Sequence, residues 1–328
     1  MSLPKGKLNL TELKRLVFPL LPRVQESGTL TLDYGTTTVH GNLVVSTDPV
    51  IGIPHQFYGF FAVHYSATDV AMAGATPQYL ALGIYYPPDT EEIWLTDTLK
   101  QLGQEAKHLN LQIIGGHTGG YDGLQVPFIA TTCFGMLAGA PLQLPKITSG
   151  DVIIAVGPIG RETLWFIANV EPSHIDSILP RSKRESIAKD LSLFSVVPIV
   201  QSLPKDQILL MHDLAEGGLG LALMELFTAT GRGIKLQYEN VPWDELGIRL
   251  FNYLNWDPFF CSSFGSFLVI TKPESADEII KELKGSGRKS DIIGTFTRKK
   301  RIIIEYPDQS KPLEPGIDPY QRFTSKLP

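Results

Sequence analysis

Short apolar runs alternate with amphipathic stretches along this chain, and most runs end on glycine, proline or aspartate. Leu10 to Leu21 carries apolar residues at helical spacing. A threonine-rich stretch, SGTLTLDYGTTTVHGN, reads as strand–loop–strand. Leu43 to Ser46 is a β-branched strand that ends on Thr47-Asp48-Pro49. Phe60 to Ala73 returns to helical spacing, and the small residues of AMAGA indicate close packing. Tyr79 to Tyr86 predicts a strand. Pro87-Pro88-Asp89-Thr90 then launches a long helix through Leu109, with Ile93, Leu99, Leu102 and Ala106 on one face. Gln112 to Ile114 is strand-like and leads into a glycine turn over 115–120, and Val126 to Met136 is strand-like again.

A turn-rich linker, QLPKITSGD, places a domain boundary near 141–150. Beyond it Val152 to Val156 is a buried strand ending at Gly157-Pro158-Ile159-Gly160. A helical region covers Ser182 to Leu203. The strand Ile208 to Met211 reaches His212-Asp213, and Gly217-Gly218 opens an apolar helix that Gly231 stops. Phe267 to Ile270 is a strand, Glu274 to Lys284 an amphipathic helix and Ile302 to Glu305 a last strand. The alternation predicts an α/β (α+β) chain of two domains, 1–145 and 146–328.

Composition narrows the class. The chain has 328 residues, 43% of them hydrophobic and 19% charged, as in a soluble globular protein, and a formal net charge of -5. That charge offers no attraction to nucleic acid or an anionic membrane. A polyphosphate ligand must therefore be held locally, by a metal ion, backbone amides or a few placed cations. The cysteines, Cys133 and Cys261, sit in apolar contexts and read as buried free thiols. The uncharged stretches 49–68 and 126–145 hold prolines, histidines or threonines unsuited to a spanning helix. The amino-terminal segment lacks a signal-peptide core, so a cytoplasmic location is expected.

The candidate chemistry lies where apolar elements deliver an aspartate or a glycine-rich turn. Asp48 follows a strand; Asp69 sits inside the helix segment HYSATDVAMAGA; Gly115, Gly116, His117, Thr118 and Gly119 form a glycine turn; Asp213 precedes Gly217 and Gly218; and Asp33 stands in LDYGTTT. An aspartate within an apolar helix calls for a function, because helix interiors disfavour it and burying its charge is costly. Oxygen ligands of this kind suit Mg²⁺, and glycines let amides approach phosphate oxygens. The set describes a metal–nucleotide site without a Walker loop or a dinucleotide fingerprint. His64 reads as a hydrogen-bonded structural histidine.

Taken in order, STDP…AVHYSATDVAMAGATPQYLALGI, GGHTGG, GDVIIAVGPIG and DLAEGGLGLALMEL resemble the AIR synthase-like (PurM-like) superfamily over nearly the whole chain. The run after the GGL helix is similar to HypE, the hydrogenase-maturation dehydratase. The GHTG turn looks more like archaeal AIR synthase-related proteins. The resemblance implies a homodimer whose first-domain strands form a β-barrel, and ATP held through Mg²⁺ by aspartates. It implies phosphoryl transfer to an oxygen, often amide-like, of a small-molecule or protein acceptor. On that implication Asp48, Asp69 and Asp213 are metal ligands, Asp69 and Asp213 are catalytic, and Asp33, 115–119 and Gly217-Gly218 contact the nucleotide. Here LDYGTTT stands where the family has GDDAA. The sequence ends in QRFTSKLP rather than a cysteine, so HypE chemistry on the chain's own tail is not expected. The alternative is a catalytically impaired, nucleotide-binding dimeric scaffold or regulator.

Overall fold

The protein is described by a computed structural model covering residues 8, 10–20, 36–39, 42–139, 142 and 146–319. It divides into two compact units. One comprises Gln25–Pro141 with Phe323–Pro328, the other Leu142–Arg322 with Met1–Val24. Among the described residues the first unit is built on a five-stranded sheet and the second on a seven-stranded sheet. The mixed α/β class expected from the sequence is the class observed.

In the first unit, strands β1 (Thr36–Val39), β2 (Leu43–Val50), β3 (Thr76–Tyr86), β4 (Gln112–Gly120) and β5 (Phe128–Met136) run in the spatial order β1-β2-β5-β3-β4. All neighbours are antiparallel except β3 and β4. On β2, β3 and β5 the buried side chains alternate: Val44, Ser46 and Val50; Leu80, Leu82 and Ile84; Ile129, Thr131 and Cys133. That period of two defines one inner face, which helix α2 (Tyr58–Met72) covers. Within α2 only Tyr65 and Asp69 escape full burial. They lie four residues apart on one half-buried stripe of α2. Helix α3 (Glu92–His108) crosses close to α2, since a Cβ on Gly59 would meet the Thr98 carbonyl oxygen at 2.4 Å. His64 Nε2 lies 3.0 Å from Glu105 Oε2 across that contact, and burial lowers the imidazole pKa against the raising effect of Glu105. The structural reading of His64 holds.

Two expectations here need correction. β2 does not stop before Asp48; it pairs with β5 through Val50, so Asp48 is a strand residue facing Thr131. Residues 115–120 are not a turn either. They continue β4 in parallel register with Ala81 to Tyr86. A Cβ on Gly116 would stand 2.3 Å from the Leu82 carbonyl oxygen, so that glycine permits a close strand approach rather than a chain reversal.

The second unit contains α1 (Leu10–Leu16), β6 (Val152–Val156), α4 (Arg161–Val170), α5 (Pro172–Asp176), α6 (Arg181–Lys189), α7 (Val197–Ser202) and β7 (Ile208–Asp213). It continues with α8 (Gly218–Thr230), β8 (Gly233–Gln237), α9 (Glu245–Leu254), β9 (Phe267–Thr271), α10 (Ala276–Gly285), β10 (Ser290–Thr297), β11 (Ile302–Glu305) and β12 (Ser310–Pro312). The sheet order is β12-β11-β8-β10-β6-β9-β7. β6 and β9 are buried along their whole length, as their unbroken apolar runs require. The helical region expected over 182–203 is interrupted, because Asp190 adopts an extended conformation and a fresh helix starts with Pro198 in its first turn.

The entry to α8 depends on left-handed glycines. Gly217 has φ +81° and Gly218 φ +56°. A Cβ on Gly218 would stand 2.3 Å from the Cys261 carbonyl oxygen, whereas one on Gly231 (φ +63°), past the end of α8, meets nothing within 4 Å. Gly231→Ala is expected to cost about 1 kcal/mol, the left-handed penalty alone. Gly218→Ala is expected to cost about 3 kcal/mol or more, because backbone must also shift. Denaturant unfolding of the two variants checks the difference.

Candidate functional site

β2 and α2 together build an acidic centre in the first unit. Alternation along β2 turns Ser46 and Asp48 to the same inner face, and the half-buried stripe of α2 presents Asp69 to them. Ser46 Oγ donates to Asp69 Oδ2 at 2.9 Å and lies 3.5 Å from Asp48 Oδ2. One fully buried hydroxyl is therefore shared by two carboxylates. Asp69 also stands in the last turn of α2, at the negative end of the helix dipole. Both features make the place costly for two negative charges and favourable for a cation.

Neighbouring groups report the same field. Cys133 pairs with Ser46 in the β2–β5 register, and its thiol pKa is pushed far up, first by burial and then by Asp69 and Asp48. It is accordingly an inert thiol rather than a nucleophile. Both cysteines are free and buried, as expected. Thr131, opposite Asp48 on the same face, keeps Oγ1 buried without a hydrogen-bond partner. Two carboxylates, a hydroxyl and an unsatisfied threonine oxygen are hard oxygen donors. Mg²⁺ takes one or two carboxylates and fills its remaining positions with water and phosphate, so the donor set fits that ion. Among the described residues no three His, Cys, Asp or Glu side chains converge as a complete metal cage.

The glycine strand stands apart from this pair within its own unit. Register runs Asp48↔Thr131↔Leu82↔Gly116, so Gly116 is three strands away, about 14 Å at ordinary strand spacing. Gly115 to Thr118 lie exposed on the edge strand. His117 Nε2 contacts Tyr121 Oη at 2.6 Å and its ring stacks on Tyr85. Asp33 lies outside the described residues.

In the second unit, register aligns Val156, Phe267 and Asp213, so the loops after β6, before β9 and after β7 leave the sheet at one end. His212 Nε2 holds Glu225 Oε2 at 2.8 Å, and His212 Nδ1 lies 3.7 Å from Asp213 Oδ1. Asp213, Glu216 and Gly218 line a water-sized cavity of about 20 Å³.

The segment 258–266 ties these loops together. Ser263 Oγ accepts from Gly160 N at 2.8 Å, Ser263 N donates to the Leu214 carbonyl at 2.8 Å, and Thr163 Oγ1 donates to the Ser262 carbonyl at 3.0 Å. Two carboxylates absent from the sequence reading complete the lattice. Glu162 Oε2 accepts from Phe264 N at 2.7 Å, and Asp318 Oδ2 accepts from Gly217 N at 2.8 Å and from the Ser262 hydroxyl. The Gly217 amide, assigned above to a nucleotide, is thus held by Asp318 here. The only local signals were an acid opening the apolar helix GRETLWF and an aspartate in the tail segment GIDP. Burial pushes the Glu162 pKa up to about 8, with Asp318, Asp213 and Glu216 adding to the rise.

With this geometry in place, the comparisons with known proteins fall into line. Residues 30–137 match the N-terminal domain of AIR synthase related proteins and residues 148–307 match the C-terminal domain. The chain belongs to the AIR synthase related family, a class of ATP-dependent enzymes. Among its relatives, carbamoyl dehydratase HypE of Azotobacter vinelandii is 27% identical over 277 residues, covering 81% of this chain and 78% of that protein. The hydrogenase expression/formation protein HupE of Azotobacter chroococcum mcd 1 is 28% identical over the same shares. Of solved structures, E. coli HypE superposes with a TM-score of 0.76 at 20% identity, over 86% of this chain and 88% of that one. A thiamine monophosphate kinase from Aquifex aeolicus superposes at 0.69 and 13% identity, over 86% and 92%. At such identities the superpositions speak to the two-domain PurM-like fold alone. No described helix is long and apolar enough to cross a membrane.

Glu162 gives a pH signature. A carboxyl protonated up to about pH 8 in the folded state, but ionised from about 4.5 in the unfolded one, makes stability fall as pH rises through that window. Glu162→Gln keeps the acceptor for Phe264 N and removes the titration. Relative to wild type, the variant should gain on the order of 3 kcal/mol between pH 5 and pH 7.5. Denaturant melts at both pH values measure it; equal pH slopes for the two proteins would contradict the assignment.

Proposed function

We propose that the protein transfers the γ-phosphoryl group of ATP to an oxygen, amide-like or similar, of an acceptor. The acceptor oxygen forms the new O–P bond, the bond to the ADP oxygen breaks, and the acceptor's proton leaves to solvent or a base. The observation that carries this reading is the convergence of Asp48 and Asp69 on one buried hydroxyl. Asp48 and Asp69 would hold Mg²⁺ in the first unit, and within the second unit Asp213 is a metal candidate in its own right. The bound ion would neutralise phosphate charge that a chain of net charge -5 leaves uncompensated. Thr118, His117 and the glycines at 115, 116 and 119 of the first unit are assigned to the nucleotide; in the second unit the Gly218 amide already donates to the Ala215 carbonyl at 3.0 Å. Asp318 must yield before the Gly217 amide can meet a ligand.

The relatives support the class of reaction. One HypE structure is described as a complex with ATP, superposing at a TM-score of 0.72 with 21% identity, and another as a complex with HypF. A small-molecule or protein acceptor fits this protein equally. A homodimer accords with the outer face of the first sheet, where Val45, Phe134 and Met136 remain half-exposed. An ATP-dependent role accords with a cytoplasmic location.

Asp69→Asn tests the reading, since the amide keeps an acceptor for Ser46 and loses only the charge. ATP-dependent phosphate release, measured with Mg²⁺ across an acceptor panel, is expected to fall about 100-fold or more. Undiminished release would contradict the assignment. Nucleotide binding without release in wild type would favour the regulator.

A further inference from the structure

A second cleft opens at the same end of the second unit's sheet and no role has been given to it. It measures about 260 Å³ and is lined by Gly157, Arg161, Trp243, Asp244, Arg288 and Lys289 among others. Register explains its place. Val156 pairs with both Phe267 and Ser290, so the turn before β10 and the loop after β6 meet, with Gly157 N donating to the Lys289 carbonyl at 2.9 Å. Asp213, opposite Phe267, is two strands from Val156, about 10 Å at ordinary strand spacing.

Three cations, Arg161, Arg288 and Lys289, line the cleft against two carboxylates, Asp244 and Glu245. Arg288 is buried, yet its guanidinium donates only to two carbonyls, Leu193 at 2.8 Å and Gly265 at 3.5 Å. Asp190 lies near enough to favour the charge without pairing to it, and burial still dominates, so the cation would gain from a further anion in the cleft. Arg161 sits at the first turn of α4 with Nε 2.7 Å from Asp244 Oδ2. Asp244 is buried and already caps α9 by accepting from Gly247 N at 2.8 Å, which holds that guanidinium in place. Among the described residues nothing hydrogen-bonds the two terminal nitrogens of Arg161, and that edge suits a carboxylate or phosphate. Lys289 Nζ lies 3.4 Å from Glu245, and both side chains are well exposed, so the lysine can turn to a ligand at little cost.

We propose that this cleft receives the carboxylate or phosphate group of an anionic small molecule. Arg161 grips it, Lys289 closes over it, and Arg288 supplies fixed positive charge from the wall. Resting on the phosphoryl-transfer reading, that molecule is the acceptor: its anionic end is anchored here and its reacting oxygen extends toward Asp213. The cleft falls just below the usual size of small-ligand pockets, in keeping with a site for one end of a metabolite.

Trp243 in the cleft wall provides the probe. Full-length protein without nucleotide is titrated at low ionic strength with malonate and separately with inorganic phosphate, following tryptophan fluorescence and heat. One of the two should bind saturably with a Kd of about 1 mM or below, and the better anion tells whether the site prefers carboxylate or phosphate. Trp243→Phe should remove the fluorescence change while heat persists. Arg161→Gln should weaken binding about tenfold or more. Lys289→Ala, at an exposed position that leaves the fold untouched, should weaken it about threefold. Should Arg161→Gln melt early, Lys289→Ala carries the test alone. No saturable binding of either anion, or binding indifferent to these residues, overturns the proposal. Anion binding in a protein that binds no Mg·ATP would keep the cleft and discard the phosphoryl-transfer reading; the converse would discard the cleft alone.

Discussion

The first unit is organised around an electrostatic demand: two aspartates and the negative end of a helix face one buried serine hydroxyl. Ser46, Asp48 and Asp69 are brought together by the period of two in β2 and by the half-buried stripe of α2. The arrangement is costly without positive charge. A hard divalent cation carrying phosphate answers the demand with the ligand types present. The inert Cys133 and the unsatisfied Thr131 oxygen show how firmly the surrounding sheet fixes this polarity.

In the second unit the corresponding constraint is a lattice of long-range hydrogen bonds. Segment 258–266 grips the loop after β6, the loop after β7 and the tail aspartate. Glu162 and Asp318 lie in its midst, and burial of Glu162 keeps a proton on it to about pH 8. A carboxyl that keeps its proton adds no negative charge to the acidic groups around it. Loops pinned at this many points give the rigid placement that the proposed phosphoryl transfer would require.

Local pattern was enough for much of this. The apolar run at 152–156 is a strand over those residues, and an aspartate in an otherwise buried helix already marked Asp69. What the sequence concealed was long-range. Asp318 reaches an amide 101 residues away and Glu162 one 102 residues away, and no spacing rule links such pairs. The glycines at 115–120 were misread because glycine serves two purposes. In β4 they answer the close approach of Leu82, a spatial neighbour invisible to periodicity. Strands β8 and β10 and helix α9 escaped for a similar reason, although the Asp244 cap before an apolar run was a usable signal.

The central claim is that Asp48 and Asp69 hold a divalent cation against a nucleotide's phosphates. Electron paramagnetic resonance of Mn²⁺, titrated with a non-hydrolysable ATP analogue, tests it directly. The account predicts a nucleotide-dependent Mn²⁺ site in wild type that disappears in the Asp48→Asn/Asp69→Asn protein while the fold persists. An unchanged Mn²⁺ site in that double variant would contradict it.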